Sequence, residues 1–141
     1  MCIIDRSVWS DWVFARQALE DGFISKSEFN FYVGIRKRFQ KQFTSIFSAV
    51  AKTFNFLFLT IRLVLNNVLY LDVTPAECYH RIHNIRKRDF EKGISIEYLR
   101  GLDRFYHEFC DEMSKKTQVA KLDWNEYGDV DDVLKVLQKM Q

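Results

Sequence analysis

Val68-Leu-Tyr-Leu-Asp-Val-Thr-Pro-Ala-Glu77 decides the fold. Val68 to Asp72 is a short apolar run that meets an acid, the pattern of a buried strand at its C-terminal end. Pro75 then stands at a first helical position, with Thr74 and Glu77 spaced for a capping box, so the same stretch predicts a helix start. Working outward, two further runs end the same way: Cys2 to Ile4 before Asp5-Arg6, and Val119 to Leu122 before Asp123-Trp124. Helical spacing fills the intervals. Val13, Phe14, Ala18 and Leu19 define one helix, which Asp21-Gly22 stops, and Ser25-Lys-Ser-Glu28 is a capping box that opens the next. Cys78, Tyr79, Ile82 and Ile85 follow the central strand. Leu99, Leu102, Phe105, Tyr106, Phe109 and Met113 form a stripe of helical period, and Asp129 caps a last helix with Val130, Val133, Leu134 and Leu137 inward. Strands alternating with helices predict a parallel α/β sheet, thin for its class.

Composition narrows the function. The chain has 141 residues, 48% hydrophobic and 16% aromatic, which suits one folded domain and excludes intrinsic disorder. Lys and Arg number 21 against 19 Asp and Glu, so no dedicated phosphate-backbone binder and no nucleic-acid partner is expected. Cys2, Cys78 and Cys110 are an odd set without close spacing, which fits a reducing compartment better than a disulfide scaffold. The stretch from about Phe43 to Leu65 is long and apolar, but Asn55 and Arg62 interrupt it. A central Arg costs roughly 2.5–3.5 kcal/mol on insertion, so no transmembrane helix is expected.

The strand ends carry the chemistry, because ligands of parallel sheets sit beyond the carboxyl ends of the strands. Asp5, Arg6, Asp72 and Asp123 fall there. An Asp-Arg pair can hold a hydroxyl or a phosphate, or serve only as a structural ion pair. Arg81, Arg86, Lys87 and Arg88 are the densest basic cluster; such cations close over a phosphoryl group or simply offset a helix dipole. Cys78, His80 and His83 have the wrong spacing for one metal on a single helix, and no metal site is expected. Trp9, Trp12 and Phe14 can stack on a base or fill a core. No Gly-x-x-x-x-Gly-Lys-[Ser/Thr] occurs in these residues, so the backbone cradle for ATP phosphates is not among them.

Three stretches together resemble the deoxynucleoside kinase family: Asp5-Arg-Ser-Val-Trp-Ser-Asp11, Tyr70-Leu-Asp-Val-Thr-Pro-Ala-Glu-Cys-Tyr-His-Arg-Ile82, and Arg86-Lys-Arg-Asp-Phe-Glu-Lys-Gly-Ile-Ser-Ile-Glu-Tyr-Leu99. The resemblance implies an incomplete three-layer parallel sheet of the P-loop nucleoside kinase type, with the first strands, the P-loop and the general base upstream of Met1. It makes residues 1–141 the C-terminal part of such a domain. Asp5 and Arg6 then match the motif beside the 5′-hydroxyl and metal, and Asp11 a position near the base, with Phe14 beside it. Arg81, Arg86 and Arg88 match lid arginines, and Glu91 matches the acid on the sugar 3′-hydroxyl. One extra residue sits between Ile82 and Arg86. ATP, Mg and a deoxynucleoside are the implied ligands of the complete kinase, and no cofactor is expected of the chain as it stands.

Within the family, the short Ser10-Asp11-Trp12-Val13-Phe14 segment, Tyr32-Val-Gly-Ile-Arg-Lys37 and Phe109 to Val119 look more like the kinase-related accessory subunit of mitochondrial complex I (NADH:ubiquinone oxidoreductase). The expectation on that basis is a non-catalytic subunit supporting assembly and electron transport. It would sit on the matrix side of the inner membrane among other complex I subunits. The alternative is a fragment of an active deoxynucleoside kinase, cytoplasmic in location. Residues 44–65 are read as an insertion foreign to both branches, since family members connect the flanking elements in fewer residues.

Overall fold

The structure is a computed structural model that describes residues 10–53 and 67–140, with side chains over 10–42 and 67–140. It divides into two compact units, Met1–Asn66 and Asn67–Gln141.

The first unit holds helix α1 (Asp11–Glu20) and helix α2 (Lys26–Thr53). Helix α1 ends as its sequence predicts. Gly22 takes φ +75, a left-handed conformation that costs a glycine nothing, and the Phe23 amide reaches back to the Ala18 carbonyl at 2.9 Å. Val13 and Gln17 are buried, Trp12 packs on Phe29 with ring centroids 5.3 Å apart, and Arg36 lies over the Trp12 ring. Helix α2 opens on the predicted capping box: the Ser25 amide donates to Glu28 Oε2 at 2.7 Å, and the Glu28 amide to Ser25 Oγ at 3.3 Å. Donation from the Ser25 amide first and from the Ser25 hydroxyl second holds the Glu28 carboxyl below its usual 4.5. A depressed carboxylate supports the helix start above the ordinary pKa and withdraws that support as pH falls through its own lower value. An NMR titration should therefore show the Ser25 amide losing its bonded shift only below pH 4.5, and Glu28→Gln should flatten the response. Helix α2 continues as far as Thr53, into the first part of the stretch read as an insertion; its remainder, like the strand expected at Cys2 to Ile4, lies outside the described residues. Among the described residues no helix is long and apolar enough to cross a membrane.

The second unit is the α/β part. Strands β1 (Asn67–Asp72) and β2 (Gln118–Asp123) pair in parallel, Asn67 opposite Gln118 and Asp72 opposite Asp123. They confirm a small parallel sheet of the expected class. Between them run helix α3 (Pro75–His80), a π-helical turn (Arg81–Arg86), a short 3-10 turn (Asp89–Glu91) and helix α4 (Ile96–Ser114). Helix α5 (Val130–Lys139) closes the unit, its Asp129 cap accepting from the Asp131 amide and Asn67 donating to the Met140 carbonyl. Thr74 caps α3 through the Glu77 amide, but the reciprocal half of the predicted box does not form, because the Glu77 carboxylate pairs with Arg81 at 2.8 Å. The core sits on α4, where Phe105, Phe109 and Met113 are buried as the helical stripe predicts, and Cys110 is buried with them. On α5 the expectation is only half met: Val130 and Leu134 are exposed.

Cys110 is 1% exposed, and burial raises its thiol to about 11. Native protein at pH 8 should leave Cys110 unreacted with a thiol reagent and release it only on unfolding, a result read by mass spectrometry of the labelled peptide. Because the unfolded thiol ionises near 9 and the folded one near 11, stability should decline as pH rises across that interval.

Candidate functional site

The carboxyl ends of β1 and β2 open into a pocket of about 280 Å³ that includes Asp72, Thr74, Asp103, His107, Lys121 and Asn125. The strands continue toward it by one more bond, the Trp124 amide donating to the Asp72 carbonyl at 2.7 Å. The Asn125 side chain then ties the two strand exits together, accepting from the Thr74 amide at 2.9 Å while its own amide groups donate to Asp123.

Asp72, Asp103 and His107 bring one donor atom each within 4.8 Å of one another, a grouping that sequence reading missed. The available signal was the i, i+4 spacing of Asp103 and His107 beside the apolar stripe of α4, opposite a strand-end acid. The ring's wiring argues against a metal. Lys121 Nζ lies 3.3 Å from His107 Nδ1, and an ammonium only donates, so Nδ1 accepts and the ring proton sits on Nε2. That proton faces Asp103 at 3.4 Å and Asp72 at 3.6 Å. Nε2 would have to give up this proton to bind an ion, with a cation already against its other nitrogen. Nor does a His nitrogen suit magnesium, which takes oxygen ligands. The set is a chain of polar contacts at the strand exit, and Tyr70 extends it by packing on Tyr106 and His107. Burial, reinforced by Asp72 and Asp103, keeps the Tyr70 phenol protonated far above the ordinary range.

The second cluster is the segment that leaves α3. Arg86 Nη2 donates to Glu91 Oε1 at 2.7 Å, and Arg88 Nη1 faces the same oxygen at 3.7 Å. Both guanidinium side chains are about half exposed (49% and 54%), whereas Glu91 is 13% exposed. Glu91 Oε2 is buried and has no hydrogen-bond partner. Between Ile82 and Arg86 the chain winds as a π turn, whose i→i+5 closure stands where an ordinary helix closes i→i+4. The Lys87 amide caps that turn on the Ile82 carbonyl at 3.0 Å, with Lys87 at φ 50 in the left-handed region.

Of the residues singled out from sequence, Arg86, Arg88 and Glu91 come together, and Arg81 does not join them. Arg81 reaches back instead, to Glu77 and to the Trp124 and Asn125 carbonyls at 2.8 and 2.6 Å, with its guanidinium 4.5 Å from the Tyr127 ring centroid. Asp11 and Phe14 lie on α1 in the other unit, Asp11 paired with Arg36 at 3.6 Å and Phe14 half-buried. The Tyr32 hydroxyl is buried beside Asp11; burial first, then hydrogen bonding to the Asp11 carboxylate and its charge, hold its proton on. Asp5 and Arg6 lie outside the described residues. The unpromising zinc trio is spoken for: Cys78 Sγ contacts the Val73 carbonyl, His80 bonds Asn84, and His83 bonds the Ile94 carbonyl.

A parallel α/β unit of this kind takes its ligands beyond the carboxyl ends of its strands, where these polar groups and the exposed arginines lie. The deoxynucleoside kinase family profile matches residues 1–140, and the chain belongs to that family. It is 42% identical over 133 residues to deoxyguanosine kinase of Dictyostelium discoideum, 94% of this chain and 40% of that protein. Deoxyadenosine kinase of the same organism is 28% identical over 133 residues, 94% of this chain and 46% of that protein. Human deoxycytidine kinase is 31% identical over 105 residues, 74% of this chain and 34% of that protein. The chain therefore spans less than half the length of these relatives.

These relatives are kinases, and that overturns the expectation of a complex I accessory subunit. The respiratory-chain role, the complex I partners and the mitochondrial assignment built on it lose their basis. The physical reason is visible in the residues that suggested it. Phe109 to Val119 supplies Phe109, Cys110 and Met113 to the core, so packing dictates those residues whatever the domain does.

Proposed function

We propose that this chain is the lid-bearing C-terminal part of a deoxynucleoside kinase that passes the γ-phosphoryl group of ATP to the 5′-hydroxyl of a purine deoxynucleoside. The observation that carries it is the convergence of Arg86 and Arg88 on Glu91 in an exposed flap, within a chain of this family. In the transfer, the 5′-hydroxyl gives its proton to the general base that the family resemblance implies, and its oxygen bonds to the γ-phosphorus as the bond to the departing ADP breaks. Arg86 and Arg88 exchange the Glu91 oxygen for phosphate oxygens, one charge-assisted bond replacing another. Glu91, released from them, accepts from the sugar 3′-hydroxyl, for which its buried Oε2 already offers an unmatched acceptor. Arg81 is read as the residue that holds the flap's root to the β2 exit. Asp5 and Arg6 would hold the 5′-hydroxyl and magnesium, and Asp11 and Phe14 the base, each by family resemblance. The purine preference is supported by the deoxyguanosine and deoxyadenosine kinases, which match over more of the chain than deoxycytidine kinase does.

The test is transfer of radiolabelled γ-phosphate from ATP to each of the four deoxynucleosides by the full polypeptide that carries this chain. Phosphorylation led by deoxyguanosine supports the reading. Preferred phosphorylation of deoxycytidine would remove the purine assignment, and no transfer to any nucleoside would remove the kinase.

A further inference from the structure

We propose that His83 is the positioning residue that fixes the flap, by closing it at its base. Only an N–H can bond a carbonyl oxygen, so the 3.0 Å contact between His83 Nε2 and the Ile94 oxygen has the ring donating. This bond joins residues 11 apart, and everything the flap is proposed to use, Arg86, Arg88 and Glu91, lies inside the loop it closes. The backbone ties of that loop are all short-range: Lys87 to Ile82, Glu91 to Arg88, Lys92 to Asp89, and Ile94 to Glu91. Residues 84–90 are all exposed, while His83 is half-buried and its ring packs on Tyr79 at 4.1 Å. The latch is thus the point at which the π turn and the start of α4 are held together by a side chain. His83 stands within the π turn, two residues after Arg81.

This inference rests on the proposed kinase reading for its catalytic consequence, but not for its structural one, and the experiment separates them. His83→Phe keeps the ring and its packing on Tyr79 and removes the donor; His83→Gln keeps a donor near the position of Nε2. Hydrogen exchange of the full polypeptide should show the Lys87 to Ile94 amides exchanging about tenfold faster in His83→Phe, with α4 and β2 unchanged and His83→Gln at the wild-type rate. Unchanged flap protection in His83→Phe overturns the latch, as does an equal loss of protection across the whole second unit. In the phosphoryl-transfer assay, His83→Phe should lower kcat about tenfold with little change in KM for the nucleoside, and His83→Gln should restore it. A loosened flap with unaltered kcat overturns the positioning role. A wild-type protein that transfers no phosphate while His83→Phe still loosens the flap refutes the kinase and leaves the latch standing.

Discussion

Arg86→Ala is expected to lower kcat for phosphoryl transfer about a thousandfold while barely altering stability. An arginine that meets the charge of a transferring phosphoryl group contributes about 10³–10⁵ in rate. The lower end applies here, because Arg88 faces the same carboxylate oxygen and retains part of the field. The stability cost should stay at about 1 kcal/mol: Glu91 is only 13% exposed, but the Arg86 side chain is 49% exposed and Arg88 remains beside the same oxygen. Arg86→Lys should recover little, since a single ammonium does not reproduce the forked donor set. Steady-state kinetics and a chemical denaturation curve on the same preparation check both halves. A kcat within tenfold of wild type would sink the assignment of Arg86 to the transferring phosphate.

Arg81→Ala is expected to do the opposite, destabilising the second unit by about 3 kcal/mol. The Arg81 side chain is 14% exposed, and its loss strands a carboxylate on Glu77 and two carbonyl oxygens, on Trp124 and Asn125. Groups left without their charged donor cost about 1–3 kcal/mol each when buried, reduced here by the partial exposure of Glu77. The stacking on Tyr127 is lost as well. Arg81→Lys should fail to rescue, because one nitrogen cannot span α3 and the β2–α5 connection. The midpoint of denaturant unfolding, followed by far-UV circular dichroism, measures the effect. Wild-type stability combined with abolished transfer would return Arg81 to the phosphate-binding group.

The contrast between these two arginines marks the limit of what the sequence could convey. Strand ends, helix starts and the α4 core were legible because each is a local rule: Asp72 and Asp123 end apolar runs, Ser25 and Glu28 cap reciprocally, and Phe105, Phe109 and Met113 share one helical face. Three arginines in one short stretch look alike by type, however, and only the fold decides that one turns to the strand exit and two to Glu91. The same holds for Asp72, Asp103 and His107, far apart in sequence and joined by packing of α4 on the sheet. Thr74 and Glu77 show a local rule overridden, since a nearby guanidinium outbid the backbone amide for the carboxylate. Motif likeness also misdirected the choice between branches, because it leaned on residues whose identity the core dictates.

The π turn at Arg81–Arg86 makes the flap indifferent to a change of one in its residue count. A turn that can be wound wide or tight works as a slip joint: a codon gained or lost is taken up within a single coil and leaves the flanking geometry in step. Natural variants of this domain with three residues instead of four between the two arginine positions should therefore superimpose on it from Arg86 onward. Their shared ancestry would then be easier to trace in space than along the chain.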